Sequence, residues 1–340
     1  MNIMKKFILG LCVLLGLVSL TACDDDTTIH YVDKNGEEAT LNVYATEDKE
    51  IIQTVLDFAS KANYNDVTSF TLKQSASINA SFSKAEEDSF FGLESKKVSG
   101  YASMTLNASK MDGFDISLSA DLSLSKDAKA SFKADALYDG ALENMLTSNE
   151  YIYVNAKYDV NSPSNFSKGD EKLAYDPKTI LDEMEDDVDD IFSKFFPTDV
   201  PSIEDPDFTL DEFYENFKNS KLVISKVKNG VIYLDVTLSL KDILSQVDDD
   251  DLSYIKDFMS LNSDFVFTFG IEASTGRLCE FSFLYDDVKS LNTALDMFLG
   301  YYKKDLIDTF RVEGKVTIEY NKAKIRTLSD AEKAKYALAS

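Results

Sequence analysis

The chain has 340 residues, with 35 Lys and Arg against 60 Asp and Glu, for a formal net charge of -25. So acidic a surface repels phosphate backbones and anionic head groups, which argues against nucleic acid as a partner and leaves no basic patch for membrane contact. The composition is 44% hydrophobic with 23 Phe and 17 Tyr, enough to bury a large core, so disorder is expected only in particular segments.

At the N-terminus Lys5 and Lys6 precede an uncharged apolar run over residues 7–18, a short basic segment followed by a hydrophobic one of secretory length. The 16 residues from Phe7 to Ala22 fall short of the roughly 20 that a spanning helix needs. Residues 1–22 therefore read as a signal that is removed. Leu20-Thr21-Ala22-Cys23 closes this segment and resembles the lipobox of bacterial lipoproteins. The resemblance implies cleavage before Cys23, a diacylglycerol on its thiol, and a protein held at the extracytoplasmic face of a bacterial membrane by acyl chains. Two chains on one residue satisfy the need for two lipid signals, each buried methylene contributing about 0.8 kcal/mol. Loss of the signal removes two lysines and no acid, so the mature charge is 33 - 60 = -27.

Residues 23–46 are polar, acidic and without sustained periodicity, and read as a flexible tether. His30, the only histidine, lies there with no second metal ligand at a matching spacing. A helix is expected over residues 47–61, where Ile51, Ile52, Val55, Leu56, Phe58 and Ala59 recur at helical spacing. The period then changes to two. Phe70, Leu72, Ala76, Ile78, Ala80 and Phe82 alternate with polar residues, and the same pattern runs through 98–108, 114–124, 128–138 and 151–160. Met111-Asp112-Gly113 and Tyr138-Asp139-Gly140 mark turns, and such short connections imply an antiparallel meander.

A helical, proline-punctuated insert is expected at about 176–218. Asp176-Pro177 starts it, and Ile180, Leu181, Met184, Val188, Ile191, Phe192 and Phe195 form its apolar stripe. Thr209 to Glu212 has the spacing of a capping box for a short second helix. Strands return at 222–228 and 231–240 around Asn229-Gly230, a two-residue hairpin signal, and at 265–273 and 278–285. A helix over 287–307, a strand over 310–320 and a small helix capped by Ser329 and Glu332 complete the chain.

This pattern predicts an α+β fold: a single domain over 47–340 with a large curved antiparallel sheet of about ten strands, half-barrel-like, and amphipathic helices covering one face. The meander and helical inserts look like the lipoprotein-carrier and lipid-binding lipoproteins, a resemblance that implies an acyl chain held between sheet and helices. On the expected buried faces Ala76, Ala80, Ala102, Ala108, Ala120, Ala130 and Ala134 stand among Met104, Leu106 and Phe132. Small side chains there leave volume that a helix or an apolar ligand must fill.

Of the three cysteines, Cys12 would leave with the signal and Cys23 would be acylated, as the lipobox resemblance implies, so Cys279 would remain alone and reads as a buried apolar residue beside Phe281 and Phe283. The acidic runs 24–26, 182–190 and 248–251 lack the glycine-centred spacing of a calcium loop. Ser81 with Lys84 and Ser123 with Lys126 match S-x-x-K on wet strand faces, without a K-T-G partner. No catalytic, cofactor-binding or metal-binding residue is assigned. Three classes of function follow: a carrier or binding lipoprotein for an apolar or lipid-like ligand, a surface structural or protein-interaction lipoprotein with no cavity, and a carboxylate-dependent hydrolase.

Overall fold

The structure is a computed structural model and describes residues 27–33, 35–82, 97–125, 128–162, 165–179, 209–245, 263–299 and 306–339. It is rich in β-structure. Thr28–Val32 (β1) and Glu38–Asn42 (β2) form an antiparallel hairpin. The other strands are β3 (Ser69–Phe82), β4 (Lys97–Ser109), β5 (Gly113–Ser123), β6 (Lys129–Asp139), β7 (Ile152–Ser162), β8 (Asn165–Tyr175), β9 (Lys221–Lys228), β10 (Val231–Ser239), β11 (Asp264–Glu272), β12 (Leu278–Tyr285), β13 (Ile307–Tyr320) and β14 (Ala337–Leu338). They form one sheet in the order β14-β8-β7-β6-β5-β4-β3-β13-β12-β11-β10-β9. The expected wholly antiparallel sheet is instead mixed, because β14 runs parallel to β8. Among the described residues the helices are few and short: α1 (Lys49–Ser60), α2 (Leu210–Asn216), α3 (Leu240–Ser245), α4 (Val288–Leu299) and α5 (Asp330–Lys333).

Where one domain over 47–340 is expected, the chain divides into two compact units, one of residues 1–63, 80–88 and 200–315 and a second of 64–79, 89–199 and 316–340. The first has a dry core. On β10 the alternation of Ile232, Leu234, Val236 and Leu238 buries every second residue, and Phe269 and Ile271 of β11 join them. Asn229 and Gly230, at φ of 53° and 69°, make the two-residue turn between β9 and β10 that their sequence signals. The Ile52, Val55 and Ala59 face of α1 covers this core, and the Asp48 carboxylate caps the helix by accepting from the Glu50 and Ile51 amides at 2.8 and 3.3 Å. Phe213 of α2 and Phe217, the residue just after it, stack at 5.3 Å in the same cluster.

The expected tether is corrected here, because Thr28–Val32 and Glu38–Asn42 are paired strands: β1 and β2 place Ile29, with Val43 just after β2, in this core at 0% exposure. Five-residue strands are too short to show a sustained period, which is why the segment reads as irregular. Helix α3 continues straight from β10. A buried carboxylate at its start, Asp242, accepts from the Asn219 amide, the Asn219 side chain and the Ser220 hydroxyl at 2.8 to 2.9 Å. The helix expected to reach 307 overruns, since Ile307 already belongs to β13.

The second unit is built on the meander β4-β5-β6-β7-β8, whose pairings are antiparallel and without register shifts. One end is dry: Leu137 and Tyr138 are at 1% and 0% exposure, with the Tyr138 hydroxyl bonded to Ser148 Oγ at 3.1 Å. The C-terminal segment packs there, with the Tyr336 ring edge-on to Tyr153 at 5.2 Å and Lys333 on Glu150 at 3.2 Å. Arg326 meets Asp115 at 3.2 Å; burial pushes this carboxyl above its ordinary range while Arg326 opposes the shift. Helix α5 has the full capping box expected from Ser329 and Glu332, whereas Thr209 of α2 caps by one bond, accepting from the Glu212 amide at 3.2 Å. Strands β8 and β14 were not expected. Most of the helical insert, residues 180–208, lies outside the described residues.

Candidate functional site

Residues directly opposite one another in a sheet point to the same face. In the second unit this assembles one apolar face from the registered rows Gly100, Leu122, Ala130 and Val160; Ala102, Ala120, Phe132, Tyr158 and Gly169; Met104, Leu118, Ala134 and Ala156; and Leu106, Ile116, Ala136, Val154 and Leu173. The Ile78 side chain joins it, lying against Gly100 beside Leu122. The other face is polar, with Ser103 and Ser119 sharing a hydrogen bond at 2.8 Å and Ser117 donating to Asp135 at 2.8 Å.

Along the strands the apolar face changes from dry to wet. Leu106 and Ala108 are buried, but Ile78, Leu118, Leu122, Phe132 and Tyr158 keep 37 to 42% of their surface exposed. The small residues among them explain the relief. Phe132 stands on β6 between Ala130 and Ala134, and the Tyr158 ring lies across Gly169 so closely that a β-carbon there would meet its Cε1 at 2.2 Å. The result is a contoured apolar surface of aliphatic walls, one aromatic pair and alanine floors. Isolated exposed apolar residues are ordinary, whereas these five share one face.

Several sequence expectations meet the structure at this face. Ala80, Ala108 and Leu106 are buried as expected. The expectation that helices bury the rest of that face is corrected: Ala76, Ala102 and Phe132 are exposed, and Met104, Ala120, Ala130 and Ala134 are only partly covered. Alternation reports which side chains share a face, and says nothing of whether another layer covers that face.

Cys279, on β12 in the first unit, is partly buried and donates to the Gly270 carbonyl at 3.4 Å. Burial, with Glu272 and Glu280 adding to it, pushes its thiol up to about 12, the opposite of a nucleophile's environment. His30 lies exposed on β1. The hydroxyl of Ser81 pairs with that of Thr309 at 2.6 Å. Cys23, Lys84, Lys126 and the acidic runs 24–26, 182–190 and 248–251 lie outside the described residues. Among the described residues no group of three His, Cys, Asp or Glu side chains could hold a metal ion, and no helix is long and apolar enough to cross a membrane.

No family model matches the chain, and no curated protein matches it. Among solved structures it is similar to the crystal structure of a β-barrel-like protein, a domain of unknown function from Brucella abortus. The match has 10% sequence identity and a TM-score of 0.21 and covers 74% of this chain and 99% of that one.

Proposed function

We propose that this protein is a lipoprotein held through acylated Cys23 at the extracytoplasmic face of a bacterial membrane, and that it binds an apolar, lipid-like ligand on the exposed face of its second unit. It is a binding or carrier protein and not an enzyme. The observation that carries the binding half is the exposure, at 37 to 42%, of Ile78, Leu118, Leu122, Phe132 and Tyr158 on one registered face. The Leu20-Thr21-Ala22-Cys23 sequence supports the anchor.

The chemistry of the face sets the ligand class. It offers hydrocarbon and two aromatic rings with few polar groups, so affinity comes from area removed from water. A methylene fully buried contributes about 0.8 kcal/mol. One laid on an open face buries about half its surface, so each added methylene strengthens binding by a factor of about 2. Displacement of a fluorescent fatty acid by saturated acids of about 10 to 16 carbons should show that increment, and Phe132→Asp should abolish it. Equal affinity for all chain lengths, or full binding by the Phe132→Asp variant, would sink the binding half. The anchor is tested separately: Cys23→Ser should release the protein from the membrane fraction, and a mature form with an unmodified thiol would refute it.

A further inference from the structure

Charge is divided unevenly between the two faces of the second unit. Alternation along β4 to β8 sends every lysine of these strands, Lys97, Lys129, Lys133, Lys157, Lys168 and Lys172, to the polar face. The apolar face of the same strands keeps a single charged residue, Glu171 of β8, which stands opposite Ala156 and is exposed. Among the described residues its carboxylate has no hydrogen-bond or ion-pair partner.

Glu171 also ends a row. Leu118, Ala134, Ala156 and Glu171 lie side by side on β5 to β8, a span of about 14 Å at about 4.8 Å per strand. Phe132 and Tyr158, two residues along β6 and β7, rise beside the alanine floor of this row. The Tyr158 ring reaches across Gly169, whose α-carbon stands about 7 Å from that of Glu171 along β8. An apolar trough therefore ends at a carboxylate with an aromatic ring beside it.

On the reading that this face binds an amphiphile, we propose that the ligand is a long-chain amine, its alkyl chain lying along the row from Leu118 to Ala156 and its ammonium group at Glu171. Charge decides the head group. An ammonium beside an unpaired carboxylate gains Coulomb attraction, and the Tyr158 ring adds a cation–π contribution. A carboxylate or phosphate head finds no lysine or arginine on this face of β4 to β8, and it meets both Glu171 and the field of 60 acids against 35 bases. A neutral head has neither the gain nor the penalty. Glu171 is thus a specificity residue: hydrocarbon removed from water sets how tightly the chain binds, and the carboxylate sets which head is accepted.

The test compares dodecylamine, dodecanol and dodecanoate, one chain length with three heads, as displacers of a neutral fluorescent dye from the purified protein at neutral pH and low salt. The amine should bind about tenfold tighter than the acid, with the alcohol between them. Glu171→Gln, an exposed and nearly isosteric change, should shrink that ratio at least about threefold and leave the alcohol as it was. Asp121→Asn removes the same unit of charge from the polar face and should leave the ratio as in the parent, which separates the local carboxylate from the overall field. Equal binding of the three heads, tightest binding of the acid, or a ratio that Glu171→Gln changes no more than Asp121→Asn does would overturn the head-group assignment. Dependence on chain length among saturated acids would in that case still hold the face itself as the site. Failure of all three amphiphiles to displace the dye would instead remove the binding reading, and the amine assignment with it.

Discussion

Gly113 opens β5 at φ 97°, and a β-carbon placed on it would stand 2.1 Å from the Tyr138 carbonyl oxygen and 2.9 Å from that of Gly140. Both obstacles are backbone and cannot rotate away. Gly113→Ala should therefore cost about 3 kcal/mol in a urea titration, combining a left-handed conformation with a steric shift of the β5-β6 pairing. A different kind of constraint acts at Cys279, where burial raises the thiol from 9.0 to about 12. The sign follows from which state binds the proton. Above pH 9 the unfolded thiol ionises and the folded one does not, so its contribution to stability is present in full below pH 9 and is lost as pH rises toward about 12. The measurable counterpart is thiol reactivity: at pH 8 a disulfide reagent should modify Cys279 slowly in the folded protein and rapidly in denaturant. Fast modification of the folded chain would contradict the burial.

At the scale of elements, α1 is the best specified from sequence, because cap and apolar spacing agree. Asp48→Ala removes the acceptor for the Glu50 and Ile51 amides and should cost about 1 kcal/mol. The hairpin β1-β2 is the opposite case. Its short strands alternate for too few residues to be told from a tether, yet Ile29 is wholly buried, so Ile29→Ala should lose about 3 kcal/mol in the same titration. A loss near zero would restore the tether reading. Strand β8 escapes the sequence for a further reason. It is flanked on its outer side only by the two-residue β14, and one face of its middle carries Ser167, Gly169 and Glu171 while the other carries Lys168, Asp170 and Lys172, so no apolar alternation exists there to be read. The interior strands β3 to β7 and β10 to β12 each have a neighbour on both sides and one apolar face, and their positions are legible to within a residue or two.

For the whole molecule, the residues of the apolar face were legible and its exposure was not, since covering a face depends on other elements and not on the strand that carries it. Leu118, Leu122 and Phe132 alternate as core residues do, yet each retains about 40% of its surface in water. Charge opposes contact between such surfaces at neutral pH. With 60 acids against 35 bases, molecules repel one another, and the sequence pI of about 4.4 marks where that repulsion vanishes. As pH falls toward that value, contact between exposed apolar faces is no longer opposed, and light scattering should rise steeply. The same loss of charge would aggregate any acidic protein to some degree, so the discriminating measurement is a neutral one. Leu118→Ser with Phe132→Ser leaves the pI unchanged and removes two of the five exposed apolar side chains. If the face drives association, the variant should scatter markedly less than the parent at the same pH near 4.4. Leu106→Ser, on the same face but 7% exposed, should instead destabilise the fold by about 3 kcal/mol and scatter more, because it opens the dry end of the sheet. Equal scattering by the parent and the double variant would mean that the face, although exposed, is not where these molecules meet.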